Sequence, residues 1–145
     1  MDQEPRTPLH WAAVKGHLPV AQLLLDRGAG INSKARFGST PLHCAAYSGH
    51  LPVAQLLLDR GAAINSKARF GSTPLHCAAY SGHLPVAQLL LDRGAGINSR
   101  TRNGYTPLYC AAERGHLPVA QLLLDRGADI NSRDLIESTP LHCAA

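Results

Sequence analysis

An α-rich solenoid of stacked helix pairs is the fold class that this sequence predicts, and three observations carry the prediction. Thr-Pro-Leu-His recurs every 33 residues, at Thr7-Pro8-Leu9-His10, Thr40-Pro41-Leu42-His43, Thr73-Pro74-Leu75-His76 and Thr139-Pro140-Leu141-His142. A fifth copy, Thr106-Pro107-Leu108-Tyr109, changes only its last residue. The run Gly-His-Leu-Pro-Val-Ala-Gln-Leu-Leu-Leu-Asp-Arg-Gly-Ala is identical in four successive periods. A period of this length marks units that each bury their apolar surface on the next. The 145 residues therefore divide into repeats at about 2–34, 35–67, 68–100 and 101–133 and a partial repeat at 134–145, all within one domain, 1–145.

The second repeat shows how each unit is specified. Thr40 suits a helix N-cap and Pro41 the first helical position, where no amide donor is required. Leu42, Ala45 and Ala46 give a short first helix one apolar stripe. Gly49 can take the left-handed conformation that ends it. Pro52 starts a second helix, in which Val53, Leu56 and Leu57 form the matching stripe, and Gly61 stops it. Helices of two or three turns are marginal alone in water, so neighbouring repeats must cover both faces. The first repeat carries the same Val20, Leu23 and Leu24 pattern with no polar cap, and the last stops at Ala145 inside a first helix. Residues Leu141 to Ala145 are expected to fray or to be held by a neighbouring molecule.

The 33-residue spacing, the Thr-Pro-Leu-His motif, Gly49-His50 before the second helix and Leu56 to Ala62 closing it together resemble the ankyrin repeat, over essentially the whole chain. The resemblance implies helix-turn-helix-β-hairpin repeats in a curved array, with Ala63 to Ser72 forming an extended finger. It also implies a non-catalytic protein-interaction module that grips partners in a concave groove between finger tips and first helices. Carried over position by position, the groove residues are Arg36, Phe37, Ser39, Tyr47 and Ser48 in one repeat. Arg69, Phe70, Ser72, Tyr80 and Ser81 follow in the next, then Arg102, Asn103, Tyr105, Glu113 and Arg114. The family's tip aspartate is replaced by Ala35, Ala68 and Thr101, whereas the turn glycine stands at Gly38, Gly71 and Gly104. Asn32, Asn65, Asn98 and Asn131 occupy a position hydroxylated in some ankyrin repeats. Asn131, preceded by Leu123, Asp129 and Ile130, is the nearest match, against the competing role of an asparagine that bonds the turn into the finger.

Charge and aromatic residues break the monotony of the repeats. Segments 34–39, 67–72 and 100–105 hold Lys34, Arg36, Lys67, Arg69, Arg100 and Arg102 with no acid, in a chain of formal net charge +4. Phe37, Phe70 and Tyr105 lie on the same segments. Arginine and tyrosine are enriched at binding hot spots, so the row fits a protein or peptide partner with acidic character. A basic aromatic face also admits single-stranded nucleic acid, but no nucleic-acid-reading motif accompanies it, so that partner is disfavoured.

Other chemistries find no constellation. Cys44, Cys77, Cys110 and Cys143 fall 33 apart, one per layer. Packed helices lie about 8–10 Å apart, beyond the roughly 7 Å that a disulfide tolerates, and such a row does not converge on a metal. Reduced, buried, inert thiols are expected. His10, His43, His76 and His142 form one row and His17, His50, His83 and His116 another, which fits structural hydrogen bonds. Ser39, His43 and Asp59 can be drawn as a triad, but no nucleophile elbow surrounds the serine, and no glycine run cradles phosphate. No enzyme activity, metal or cofactor is expected. No stretch approaches the roughly 20 apolar residues of a membrane span, and Met1 to Pro5 lacks signal-peptide character, so an intracellular location, cytoplasmic or nuclear, is expected.

Residues 35–67 and 68–100 differ only at Ala63 against Gly96 and Lys67 against Arg100. Such identity implies an engineered repeat protein or a recently expanded natural array. It leaves open a second function, a structural scaffold without a dedicated ligand that associates head-to-tail through uncapped ends.

Overall fold

A computed structural model describes residues 5–131, and the expectation for Leu141 to Ala145 lies outside them. Eight α-helices are seen among the described residues: α1 (Pro8–Lys15), α2 (Leu18–Asp26), α3 (Pro41–Ser48), α4 (Leu51–Asp59), α5 (Pro74–Ser81), α6 (Leu84–Asp92), α7 (Pro107–Arg114) and α8 (Leu117–Asp125). They form a helical solenoid in two rows. α1, α3, α5 and α7 stack in one row and α2, α4, α6 and α8 in the other, each helix touching its counterpart in the next repeat.

The start and stop signals act as the sequence predicts. Thr7, Thr40 and Thr73 cap α1, α3 and α5, and the histidine three residues on returns a bond to the cap backbone. Thr106 accepts from the Tyr109 amide at 3.2 Å to cap α7. Gly49 ends α3 at φ 79°. Any side chain there would be strained, and a Cβ would lie 2.4 Å from the His83 ring of the next repeat. The same glycine therefore terminates a helix and admits its neighbour.

Small residues set the packing. Ala45, Ala46, Ala78, Ala79 and Ala111 are fully buried along the first-helix row, which lets those helices approach more closely than the leucine-bearing second helices do. An array packed tighter on one row bends towards that row. In α4 the buried set is Val53, Ala54 and Leu57, while Leu56 is half-buried. Leu23, its counterpart in α2, is 53% exposed and Val20 47% exposed, because no layer among the described residues covers that flank.

The array of helical repeats is as expected, and its fingers carry no strand among the described residues. Below the tip bond from the Gly38 amide to the Ala35 carbonyl (2.9 Å), the arms meet only through the Ala35 amide and the Ser39 carbonyl at 2.8 Å. A turn closed this tightly leaves no length for a ladder. Although adjacent in sequence, Asp59 and Arg60 each pair with another repeat. Arg60 reaches back to Asp26 at 2.7 Å, Arg93 pairs with Asp59, and Arg126 meets Asp92 at 2.7 Å. These exposed pairs contribute only about 0.2–1 kcal/mol each, but they give identical surface residues a structural reason.

Leu57→Ala, which empties a site that is 0% exposed, should cost about 2–5 kcal/mol. Leu23→Ala, on the uncovered flank, should cost less than about 1 kcal/mol. Urea unfolding of both variants measures the difference, and equal losses would contradict the layered packing.

Candidate protein-binding surface

Histidines place the fingers. The His43 Nε2–H donates to the Ser72 carbonyl of the next finger at 2.9 Å, while its Nδ1 accepts from the Thr40 amide at 3.2 Å. His10 and His76 make the same bonds to the Ser39 and Tyr105 carbonyls, both at 2.8 Å. Ser39 and Tyr105 are the residues that close their own fingers, so each histidine locks a closed finger onto the preceding helix cap. Burial pushes all three imidazoles below their ordinary value, partly offset by the bonds to those carbonyls. A proton on Nδ1 would also face the threonine amide, a second reason to stay neutral. The other row acts similarly: His50, His83 and His116 donate to the Val14, Tyr47 and Tyr80 carbonyls at 2.9–3.0 Å.

The tips are the unusual feature. Phe37 (φ 67°) and Phe70 (φ 66°) are the only non-glycine residues with positive φ among the described residues, and Asn103 at the same register is not one of them. A bulky side chain held there costs on the order of 1–3 kcal/mol. Both rings nevertheless remain about half exposed, so the conformation does not serve burial. Arginines flank them. Arg36 and Arg69 stand 4.9 and 5.0 Å from the Phe37 ring centre, and Arg69 and Arg102 stand 4.9 and 6.0 Å from that of Phe70. Each such contact contributes about 0.5–1 kcal/mol at an exposed site. The Arg102 amide also donates to the Phe70 carbonyl at 2.6 Å, tying the second finger to the third.

Facing the fingers, the ends of the first helices carry a second aromatic row. Tyr47 and Tyr80 stack with centroids 6.3 Å apart, and Arg114 lies 4.8 Å over Tyr80. Two hollows open between the rows. One, of about 480 Å³, is lined by Ser39, His43, Cys44, Tyr47, Ser48, Cys77, Arg6 and Val14. The other, of about 290 Å³, lies one repeat on against Tyr47, Ser72, Tyr80, Tyr105, Cys110 and Glu113. The cysteines are thus the groove floor rather than wholly interior: Cys44 is buried, and Cys77 and Cys110 are partly so. Burial pushes the Cys77 and Cys110 thiols up to about 12, with the Glu113 charge adding to the effect at Cys110. Such thiols are poor nucleophiles at neutral pH.

Of the residues predicted from the sequence, Arg36, Phe37, Tyr47, Arg69, Phe70, Tyr80, Arg102, Asn103, Glu113 and Arg114 are exposed, and Ser39, Ser48, Ser72, Ser81 and Tyr105 are half-buried. The groove also takes in Arg6, with Trp11 beside it, and sequence reasoning missed both. Arg6 lies 4.9 Å over the Trp11 ring, and Trp11 is 48% exposed. The signal was present, since Trp11 stands at the register of Cys44 and Arg6 at that of Ser39.

The drawn triad does not converge. Both His43 nitrogens are engaged as described, and Asp59 pairs with Arg93. No group of three or more metal-ligating side chains comes together among the described residues. The Asn32, Asn65 and Asn98 side chains accept from the Ala63, Gly96 and Asp129 amides of the next repeat at 3.0–3.1 Å. Asn131 is exposed, and its own amide donates to the Asp129 carboxylate at 3.0 Å.

Capped helix pairs with one finger per layer define a helical repeat protein. The family model described as ankyrin repeats (3 copies) matches residues 1–68 and 63–134, and the chain belongs to the ankyrin-repeat family. Repeats of this family generally mediate protein–protein interaction and are generally non-catalytic. A comparison with curated proteins gives no match. No helix among the described residues is long and apolar enough to cross a membrane.

Neutral histidine clamps make stability depend on pH. Because the folded pKa values lie below the ordinary 6.5, the contribution is complete above about pH 6.5 and declines as pH falls below it. The slope is at most about 1.4 kcal/mol per pH unit for each histidine. Unfolding free energies measured from pH 7.5 to 5.5 should therefore decrease, and a flat profile would contradict the clamps. Iodoacetamide should alkylate Cys77 and Cys110 at pH 8 far more slowly in the folded chain than in denaturant, as followed by mass spectrometry. Equal rates would refute their protected state.

Proposed function

We propose that the chain is a non-catalytic binding module whose finger tips and first-helix ends grip an extended, acidic protein segment. The observation that carries this reading is the Arg36–Phe37–Arg69–Phe70–Arg102 ladder. Its three guanidiniums are exposed and form no ion pair among the described residues, whereas Arg60, Arg93 and Arg126 on the second-helix side are all paired. Backbone strain at the two phenylalanines supports the same view. Selection for stability alone would favour glycine or asparagine at φ near +67°, and exposed rings gain little from folding. Guanidiniums supply charge-assisted bonds to carboxylates, and the rings and tyrosines supply rigid contact area.

Poly-L-glutamate is a suitable probe of the charge requirement. Replacing Arg36, Arg69 and Arg102 together with glutamine should weaken its binding by at least about tenfold, equivalent to about 1.4 kcal/mol, with circular dichroism unchanged. The wild-type affinity should also fall steeply with salt, as expected of exposed charges. Unchanged affinity in the triple variant, measured by calorimetry, would reject the proposal.

A further inference from the structure

The ladder has a step length, and that length selects among acidic segments. Consecutive guanidiniums share one phenylalanine ring at 4.9 to 6.0 Å, so they stand no more than about 11 Å apart, in keeping with the roughly 8–10 Å between packed helix layers. A polyproline II helix has three residues per turn and rises 3.1 Å per residue, which returns side chains to one face about every 9 Å. In a β-strand, same-face residues recur at about 7 and 13 Å, the first shorter than the spacing of packed layers and the second beyond the upper bound.

What lies between the arginines points the same way. Phe37 and Phe70 offer exposed rings at 46% and 49%, one between each pair of guanidiniums. Proline-rich helices of this type dock on aromatic surfaces, and they lose little conformational entropy on binding because they are already extended. The third tip carries Asn103 instead of an aromatic residue. The ladder thus provides three charged steps and two apolar ones. Resting on the binding face proposed above, we infer that this surface takes an acidic polyproline II segment with a carboxylate at every third residue, of the pattern Glu-Pro-Pro-Glu-Pro-Pro-Glu.

Three fluorescein-labelled peptides test the register by anisotropy against the folded chain. One carries glutamates at every third position. The second is an isomer of the same composition with glutamates at alternate positions. The third is a helical peptide with glutamates seven apart, which meets the spacing by about 10.5 Å of helical rise. The every-third peptide should bind at least about tenfold more tightly than either of the others, a margin of about 1.4 kcal/mol. That margin should vanish in a Phe37→Ala, Phe70→Ala variant whose circular dichroism matches the wild type, and an unchanged margin there would overturn the part assigned to the rings. If the isomer or the helical peptide binds as well or better, while all binding is lost in the triple arginine variant, the register is overturned and the acidic-binding face stands. If no peptide responds to the triple variant, both fall together.

Discussion

His10, His43 and His76 each use both ring nitrogens, and the destinations of those two bonds order the described repeats. Nδ1 turns inward to the threonine cap of its own helix, and Nε2 reaches forward to the carbonyl that closes the next finger. A helix start is thereby coupled to a loop 29 residues ahead, layer after layer. The alanine-lined flanks supply the burial, but burial alone is non-directional. The imidazole bonds convert a stack of short helices into an array whose fingers project at a fixed height and spacing. The arginine–phenylalanine ladder inherits its regularity from them.

The near-identity of the repeats then separates two kinds of surface. On the second-helix side, identical aspartates and arginines meet across the repeat boundary and neutralise one another. On the finger side the arginines meet rings instead of acids, and two phenylalanines sit in a backbone conformation that their side chains disfavour. The first surface is consistent with self-contained scaffolding. The second is built at some cost in local strain and leaves its charges facing outward, which is the physical asymmetry that a binding face requires.

Much of this was legible in the letters. Period, cap threonine, proline at the helix start and terminating glycine each act within a few residues, so Thr40, Pro41, Gly49 and Gly61 announce α3 and α4 without tertiary knowledge. The places of Arg36, Phe37 and Tyr47 came with the resemblance to ankyrin repeats, and all three are exposed. Three features were not legible, for distinct reasons. Asp59 and Arg60 do not announce their partners, because sequence adjacency hides the fact that these lie 34 positions away. The finger reads as a hairpin because turn residues do not reveal how few backbone bonds its arms can make. The left-handed phenylalanines run against propensity, which would have placed that conformation at Asn103.

A single substitution examines the coupling directly. His43→Tyr leaves the N-cap threonine in place and installs the residue that α7 already tolerates at the equivalent Tyr109, so α3 should still form. Amide hydrogen exchange in this variant should accelerate across residues 68–72, the finger held by His43, while α5 keeps its wild-type protection. Unchanged exchange in that finger would show that it is held by something other than the imidazole, and the account of how the array positions its fingers would fail.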